Sequence, residues 1–269
     1  MAIYKVKSGI SRITAKLFIL LLFAVLVCPK ASAGALSEQY PSEVIKIIGA
    51  HLEGRLDEDP TSGYRVLIRK ILPTDTHYFQ FARYPLTRAL RDFKETERAC
   101  IFPSSAPAVR ILTGDQNTEF VESEPVDIVT SHIISAPHRP TFATVRDLDG
   151  HSVAVQQSVV TSRFLRENST ATITRTPNDL TALKMLLAGR VDAMYGWFPD
   201  IFIIAEKNGL SLPHFNPDLI LFKTTTHLVC KEFVGNELLF KIVNTRIKDL
   251  KRKDELQKIL GVHARILEY

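Results

Sequence analysis

The first half of the chain alternates short apolar runs with stretches that have helical spacing. Residues 44–49 (VIKIIG) and the alternating aromatic segment 77–84 (HYFQFARY) each predict a strand. Between them, the apolar run from Tyr64 to Leu72 predicts a helix that Pro73 ends. The order of strand, helix and strand is typical of an α/β protein with a mostly parallel sheet.

The next helix is predicted just after the second strand. Its apolar positions repeat at i, i+3, i+4 and i+7 behind a proline, which is favoured in a first helical turn. Those positions are Leu86, Ala89, Leu90 and Phe93. The run ACIF, residues 99–102, then predicts a third strand stopped by Pro103.

A second α/β unit follows. Residues 127–135 (DIVTSHIIS) predict a strand with no helix before it, and Val153–Val155 and residues 173–177 predict two more. Apolar residues on one helical face predict a helix that ends on a left-handed Gly189, and Val191–Tyr195 predicts the strand after it. The face is formed by Leu180, Leu183 and Leu187.

The rest of the pattern indicates how the two units are joined. Residues 202–209 predict a helix, residues 218–232 extended chain, and residues 233–260 a helical end. We expect one lobe from residues 34–127 and 219–269 and another from 132–215. The hinge is expected near 126–131 and 214–222, where two crossings form a two-strand connection. A cleft between lobes joined in this way is a natural ligand site.

The N-terminus has the features of a secretory signal peptide, residues 1–33. Basic residues precede an apolar run of eleven residues, Leu17–Val27, and Ala31-Ser32-Ala33 supplies a small-residue cleavage site. The run is short for a membrane-spanning helix, which needs about 20 residues, although an anchor is the alternative. A periplasmic location follows from this interpretation.

Charge and motifs exclude several classes of function. The chain has 34 basic and 29 acidic residues; five of the basic ones and none of the acidic ones lie in residues 1–33, so 29 of each remain. A balanced charge gives a nucleic-acid-binding role no support. No zinc, nucleotide or hydrolase motif occurs, so neither a metal nor a cofactor is expected. Cys100 and Cys230 could pair after export or remain buried thiols.

Four segments resemble, in order, the bacterial extracellular solute-binding proteins of family 3, the amino-acid-type receptors of ABC importers. They read PLTRALRDFKETERACIFP, SEPVDIVTSHIIS, VRDLDGHSVAVQQSVVTSRFL and LTALKMLLAGRVDAMYGW. The resemblance covers about Val44–Leu260. It implies a type II periplasmic-binding-protein-like fold with two α/β lobes, each a mostly parallel sheet flanked by helices.

The segments depart from the family at the positions that usually hold an amino acid. The arginine expected shortly before Ser123-Glu124-Pro125 is absent, and whether Arg110 or Arg83 reaches the cleft stays open. The usual Gln-x-Gly-Ser/Thr turn reads QQSVV. The acidic ammonium partner is expected at about Gly196–Trp197, where this chain has neither Asp nor Glu. We therefore expect another solute, with a planar or aromatic part on Trp197.

The residues expected to contact the ligand follow the ends of the predicted strands. The candidates are Trp197, Tyr195, Ser104, Ser105, Gln157, Ser158, Thr161, His51, Glu53 and Arg110. Each has a plainer alternative: a core aromatic for Trp197, a turn for Ser104 and Ser105, a helix cap for Gln157 and Ser158. Tyr195 is ranked below Trp197 because alternation along the strand could turn it away.

The sequence favours a monomeric, non-enzymatic binding protein. It would capture a small polar solute by lobe closure and present it to an inner-membrane ABC permease. A ligand-sensing module for a membrane signalling partner is the alternative. A dehydratase-like enzyme on the same fold is a third hypothesis, with Glu53 beside His51 as its available acid and base.

Overall fold

The computed structural model describes residues 44–73, 78–156 and 159–267, and its strands form one continuous, mixed sheet. The strands are β1 Ile45–Ala50, β2 Phe79–Tyr84, β3 Ala99–Ser104, β4 Phe120–Glu122, β5 Asp127–Ser135, β6 Ser152–Gln156, β7 Thr172–Thr176, β8 Ala193–Phe198, β9 His214–Phe215 and β10 Phe222–Lys231. The helices are α1 Gly63–Ile71, α2 Leu86–Glu95, α3 Ala106–Thr113, α4 Val159–Asn168, α5 Asp179–Leu187, α6 Asp200–Lys207, α7 Asn236–Arg252 and α8 Glu255–Leu260.

The sheet consists of two parallel groups joined by two antiparallel strands. Its order is β2-β1-β3-β10-β5-β8-β6-β7, with β4 beside β10 and β9 beside β5. The pairs β1/β2, β1/β3, β6/β7 and β6/β8 are parallel. The pairs that β10 forms with β3 and β5, and that β5 forms with β8, are antiparallel.

Separate apolar cores support the two groups of strands. In the first lobe, α1, α7 and α8 pack on one face of β1 and β3, while α2 and α3 cover the other face. In the second lobe, α5 and α6 cover one face of β6 and β8, and α4 covers the other. This is the two-lobe α/β architecture with a mostly parallel sheet in each lobe that the sequence predicts. The lobe bounds given above stay a prediction.

The segment that delivers β8 to the cleft folds largely as the sequence predicts. Asn178 caps α5 by accepting a hydrogen bond from the backbone of Thr181 (2.8 Å), and Gly189 has a φ of +66° after the helix. The strand itself runs from Ala193 to Phe198, not from Val191 to Tyr195. A Cβ added to Gly196 would lie 2.5 Å from Ile201 Cγ1, so α6 packs directly on the strand backbone there.

Two other predictions about the segment around Pro103 are wrong. Pro103 does not stop β3 but lies within it, where the pairing with β10 shifts register. A proline is tolerated at such an irregularity because the ladder requires no N–H donor there. A helix, α3, does precede β5. Its Pro107 stands in the first turn after the cap Ser105, so this proline begins a helix and breaks none.

The helical C-terminus is two helices and not one. The backbone breaks after Arg252, where Asp254 adopts a φ of +53°, and α8 begins at Glu255. Within the described residues no helix combines the length and apolarity that crossing a membrane requires.

Cys100 and Cys230 form a disulfide, which settles the alternative that the sequence leaves open. They lie directly opposite each other on the antiparallel strands β3 and β10, with Cα atoms 3.9 Å apart. Both side chains are fully buried in the first lobe's core. The bond joins positions 130 residues apart, so it closes a long loop of the unfolded chain.

Removing the disulfide should destabilise the first lobe. Replacing both Cys100 and Cys230 by alanine is expected to lower the free energy of unfolding by about 2–4 kcal/mol, because the unfolded chain regains loop entropy. Urea unfolding with and without reductant measures this. Reductant should shift the wild-type midpoint and leave the double-alanine protein unchanged; an unshifted wild-type midpoint would contradict the pairing.

Candidate functional site

A cavity of about 360 Å³ lies between the two lobes, at the ends of β3, β6 and β8. This is the edge where open α/β sheets place their ligands. The first lobe contributes Leu52, Leu86, Ser105, Pro107, Ala108, Ile111 and Leu112 to its wall. The second lobe contributes Val155, Gln156, Asp179, Tyr195, Trp197 and Asp200, and β10 adds Phe222, Lys223 and Thr224.

Both aromatic candidates on β8 line this cavity. Tyr195 and Trp197 are two residues apart on a strand, so they point to the same face; alternation does not separate them. Their rings meet edge to face, with centroids 6.3 Å apart. Met194, one position earlier, packs instead into the core beneath α5 and α6. The strand therefore presents one aromatic wall to the cleft.

The two predicted serines differ in position. Ser105 lines the cavity, caps α3 by accepting a hydrogen bond from the Ala108 N–H (3.4 Å), and accepts another from Thr224 Oγ1 (2.9 Å). Ser104 is the last residue of β3, pairs with His227 and is not part of the wall. The Ser105 side chain thus connects the start of α3, which forms part of the cavity wall, to β10.

The basic candidates are engaged away from the cavity. Arg110 donates to the carbonyl oxygens of Thr118 (2.9 Å) and Gln116 (3.3 Å), and its guanidinium lies 4.9 Å from the Phe120 ring centroid. Arg83 contacts Glu58 and the imidazole of His51. Neither arginine lines the cavity.

The remaining candidates fall outside the wall or outside the described residues. His51 is exposed, and Glu53 is partly buried near the cavity without lining it. Gln157 and Ser158 lie outside the described residues, and the side chain of Thr161 does too. The binding role of every candidate stays a prediction. No cluster of three potential metal ligands occurs among the residues that the structure describes.

Two carboxylates of the wall, Asp179 and Asp200, were not predicted. Each is at the start of a helix that follows a second-lobe strand: Asp179 begins α5 after β7, and Asp200 begins α6 after β8. Their signal in the sequence is an aspartate in the first turn of a helix that directly follows a strand. They make the second lobe's side of the cavity acidic.

Asp200 belongs to a buried ionic network around Arg55. The Arg55 guanidinium donates to Asp200 Oδ1 (2.8 Å) and to Asp127 Oδ2, and lies 3.8 Å from the Tyr64 ring centroid. Tyr64 Oη donates to Asp127 Oδ2 (3.1 Å). Burial raises the pKa of Asp200, although the Arg55 guanidinium acts in the opposite direction. The network joins the loop after β1 to the starts of β5 and α6.

Asp179 has no such partner. Its carboxylate makes no hydrogen bond or ion pair with any residue in the described ranges. Burial, followed by the nearby charges of Asp200 and Glu53, raises the pKa of Asp179 to about 7. Among the described residues, the cavity thus contains an acid whose charge has no partner when it ionises.

Comparison with known proteins supports the fold. No family model matches the sequence, and no curated protein sequence matches it. The glutamate complex of the GluR0 ligand-binding core from Nostoc punctiforme is 17% identical, with a TM-score of 0.61 over 81% of this chain and 98% of that one. The chain has the two-lobe fold of periplasmic binding proteins.

Two other structures with this fold belong to a transporter and to a histidine kinase. The substrate-binding protein of an amino acid ABC transporter is 13% identical, with a TM-score of 0.57 over 82% of this chain and 98% of that one. A histidine kinase sensor domain with similarity to periplasmic binding proteins is 18% identical, with a TM-score of 0.60 over 84% and 98%. At identities of 13–18%, these similarities show a shared fold and say nothing about a shared ligand or partner.

Breaking the Arg55 network should be costly. Arg55→Met leaves Asp127 and Asp200 without their cation, so the free energy of unfolding should fall by about 3–5 kcal/mol at pH 7. Denaturant unfolding measures the change. Arg163→Met, which removes an exposed pair with Glu167, is the control and should cost less than about 0.5 kcal/mol. Equal losses in the two variants would show that Arg55 has no special role.

Asp179 should make stability depend on pH. Its pKa is about 7 in the fold and near 4 in an unfolded chain, so the folded state binds more protons between these values. The contribution of Asp179 to stability therefore decreases as pH rises through this range. We expect Asp179→Asn to raise the free energy of unfolding by about 1–2 kcal/mol more at pH 8 than at pH 5.

Unfolding curves at the two pH values measure this difference. Asp218→Asn makes the same change at an exposed carboxylate and should have the same small effect at both pH values. If Asp179→Asn also had equal effects at pH 5 and pH 8, Asp179 would titrate like an exposed carboxylate.

Proposed function

We propose that the chain is an exported receptor that captures a small polar solute with an apolar part in the cleft between its lobes. The observation that carries this proposal is the cavity of about 360 Å³, because both lobes and β10 build its wall. Such a cavity changes shape when the lobes rotate, so a ligand that contacts both sides favours the closed form.

Export and a periplasmic location have two supports. The N-terminal segment has the pattern of a cleavable signal peptide. The buried Cys100–Cys230 disulfide is a bond that persists in oxidising compartments such as the periplasm.

Delivery to an ABC permease is the use that we favour, since the resemblance in sequence is to importer receptors. A sensory role is the second candidate, and it is favoured by the likeness to a kinase sensor domain. The partner distinguishes them: permease and ATPase genes beside this one would favour transport, and a kinase gene would favour sensing. An enzyme has less support, because His51 is exposed, contacts Arg83 and does not line the cavity.

Trp197 makes binding directly measurable. It is the only tryptophan of the sequence and it lines the cavity, so a ligand in the cleft should change its emission. Titration with a panel of amino acids, amines and other small metabolites is expected to give saturable changes at micromolar concentrations of at least one compound.

A pair of variants locates the site. Ala108→Phe should fill the cavity and weaken binding roughly tenfold or more. Ala188→Phe, the same change at an exposed position after α5, should bind like the wild type. The proposal fails if no compound gives a saturable response, or if Ala108→Phe binds as tightly as Ala188→Phe.

A further inference from the structure

Among the described residues, the carboxylates around the cavity outnumber the cations that pair with them. Asp179 and Asp200 line it, and Glu53 is close enough to raise the pKa of Asp179. The guanidinium of Arg55 contacts Asp200, but it also contacts Asp127, so it is shared between two carboxylates. Asp179 is left without a cationic partner among the described residues.

Other positive side chains do not meet this need. Arg110 and Arg83 are bound to groups outside the cavity. Lys223 lines the cavity from β10, and its side chain is exposed to solvent. A carboxylate that is partly buried without a cation or donor is costly, and a ligand that brings positive charge removes that cost.

The rest of the wall selects for an apolar body. Leu86, Ile111 and Leu112 line the cavity together with the aromatic pair Tyr195 and Trp197. Apolar area stabilises a bound hydrocarbon or ring, and an aromatic face also attracts a cation that lies near it. The wall therefore combines mainly apolar surroundings with one acid, Asp179, that has no partner among the described residues.

We propose that the cleft binds an organic monocation, a protonated amine on an apolar or aromatic body, with the ammonium group on Asp179. This rests on the proposed function, since it names the ligand class of the same cleft. Asp179 would then replace the acidic residue that the resemblance places at about Gly196–Trp197 and that this chain lacks there. The ammonium partner comes from the start of α5, and the end of β8 is free to supply an aromatic wall.

Three probes that share a phenylethyl body and differ in the charge of their polar group test the charge requirement. They are 2-phenylethylamine, its neutral isostere 2-phenylethanol and the anion 3-phenylpropanoate, titrated into the purified protein by calorimetry at pH 8. The amine is expected to bind roughly 30-fold or more tightly than the alcohol, and the anion should bind most weakly. An alcohol or anion that binds as tightly as the amine would overturn the proposal.

The role of Asp179 is tested by a matched pair of variants. Asp179→Asn should weaken binding of the amine roughly 30-fold and leave binding of the alcohol unchanged, and Asp218→Asn should change neither. Circular dichroism confirms that both variants are folded. Undiminished amine binding by folded Asp179→Asn would overturn the assignment.

The wider metabolite panel separates this inference from the function it rests on. If the tightest ligands are neutral or anionic, the cleft is a receptor site but the ligand class is wrong. If no compound binds and the three probes are also silent, the proposed function fails and the inference fails with it. If the tightest ligands are amines whose binding Asp179→Asn weakens, the ligand class is supported.

Discussion

The guanidinium of Arg55 is the group on which the arrangement of the cleft depends. It lies in the loop after β1, and its two carboxylate partners begin β5 and α6, so one cation connects the first lobe, the crossing strand and the second lobe. The backbone N–H of Arg265 donates to the other oxygen of Asp127 (3.1 Å), which adds the C-terminal segment to the network. A buried ionic group is a weak source of net stability, because desolvation offsets much of the attraction. The network nevertheless fixes the relative positions of its members, because a carboxylate that moved away from the Arg55 cation would be buried without a partner.

The cleft combines this polar support with apolar walls. Asp200 lines the cavity with its charge paired to Arg55, and the neighbouring surface is formed by Tyr195, Trp197 and the apolar residues of α3. Asp179 differs, because it lies in the same acidic surroundings and no cation among the described residues pairs with it. In the part of the chain that the structure describes, the electrostatic asymmetry of the site thus arises because Arg55 is shared by two carboxylates and Asp179 has no cation.

Much of the fold could be predicted because local patterns and tertiary contacts agree. The stripe of α1, the cap and stop of α5 and the short strands β1 and β6 are visible in residue spacing, and order along the chain gives the parallel groups. The helix α3 was missed because Pro107 looks like a breaker unless Ser105 is recognised as its cap. Tyr195 and Trp197 could be placed at the cleft from the end of a strand. The role of Asp179 could not be predicted, because it follows from Arg55 pairing with Asp127 and Asp200 instead, and no local pattern encodes those long-range contacts.

The strand β10 has a consequence for how the protein is assembled. Its first residues pair with β5 and its last with β3, so it fills the position between them in the sheet. The second lobe is contained between β5 and β10, and its strands can come together as the chain is made. The first lobe cannot be completed until residues 222–231 have been synthesised. Before that, β3 lacks its β10 neighbour and Cys100 lacks its disulfide partner. The first lobe is therefore the last part of the protein to be completed, and Cys100 keeps a free thiol until Cys230 has taken its place in the sheet.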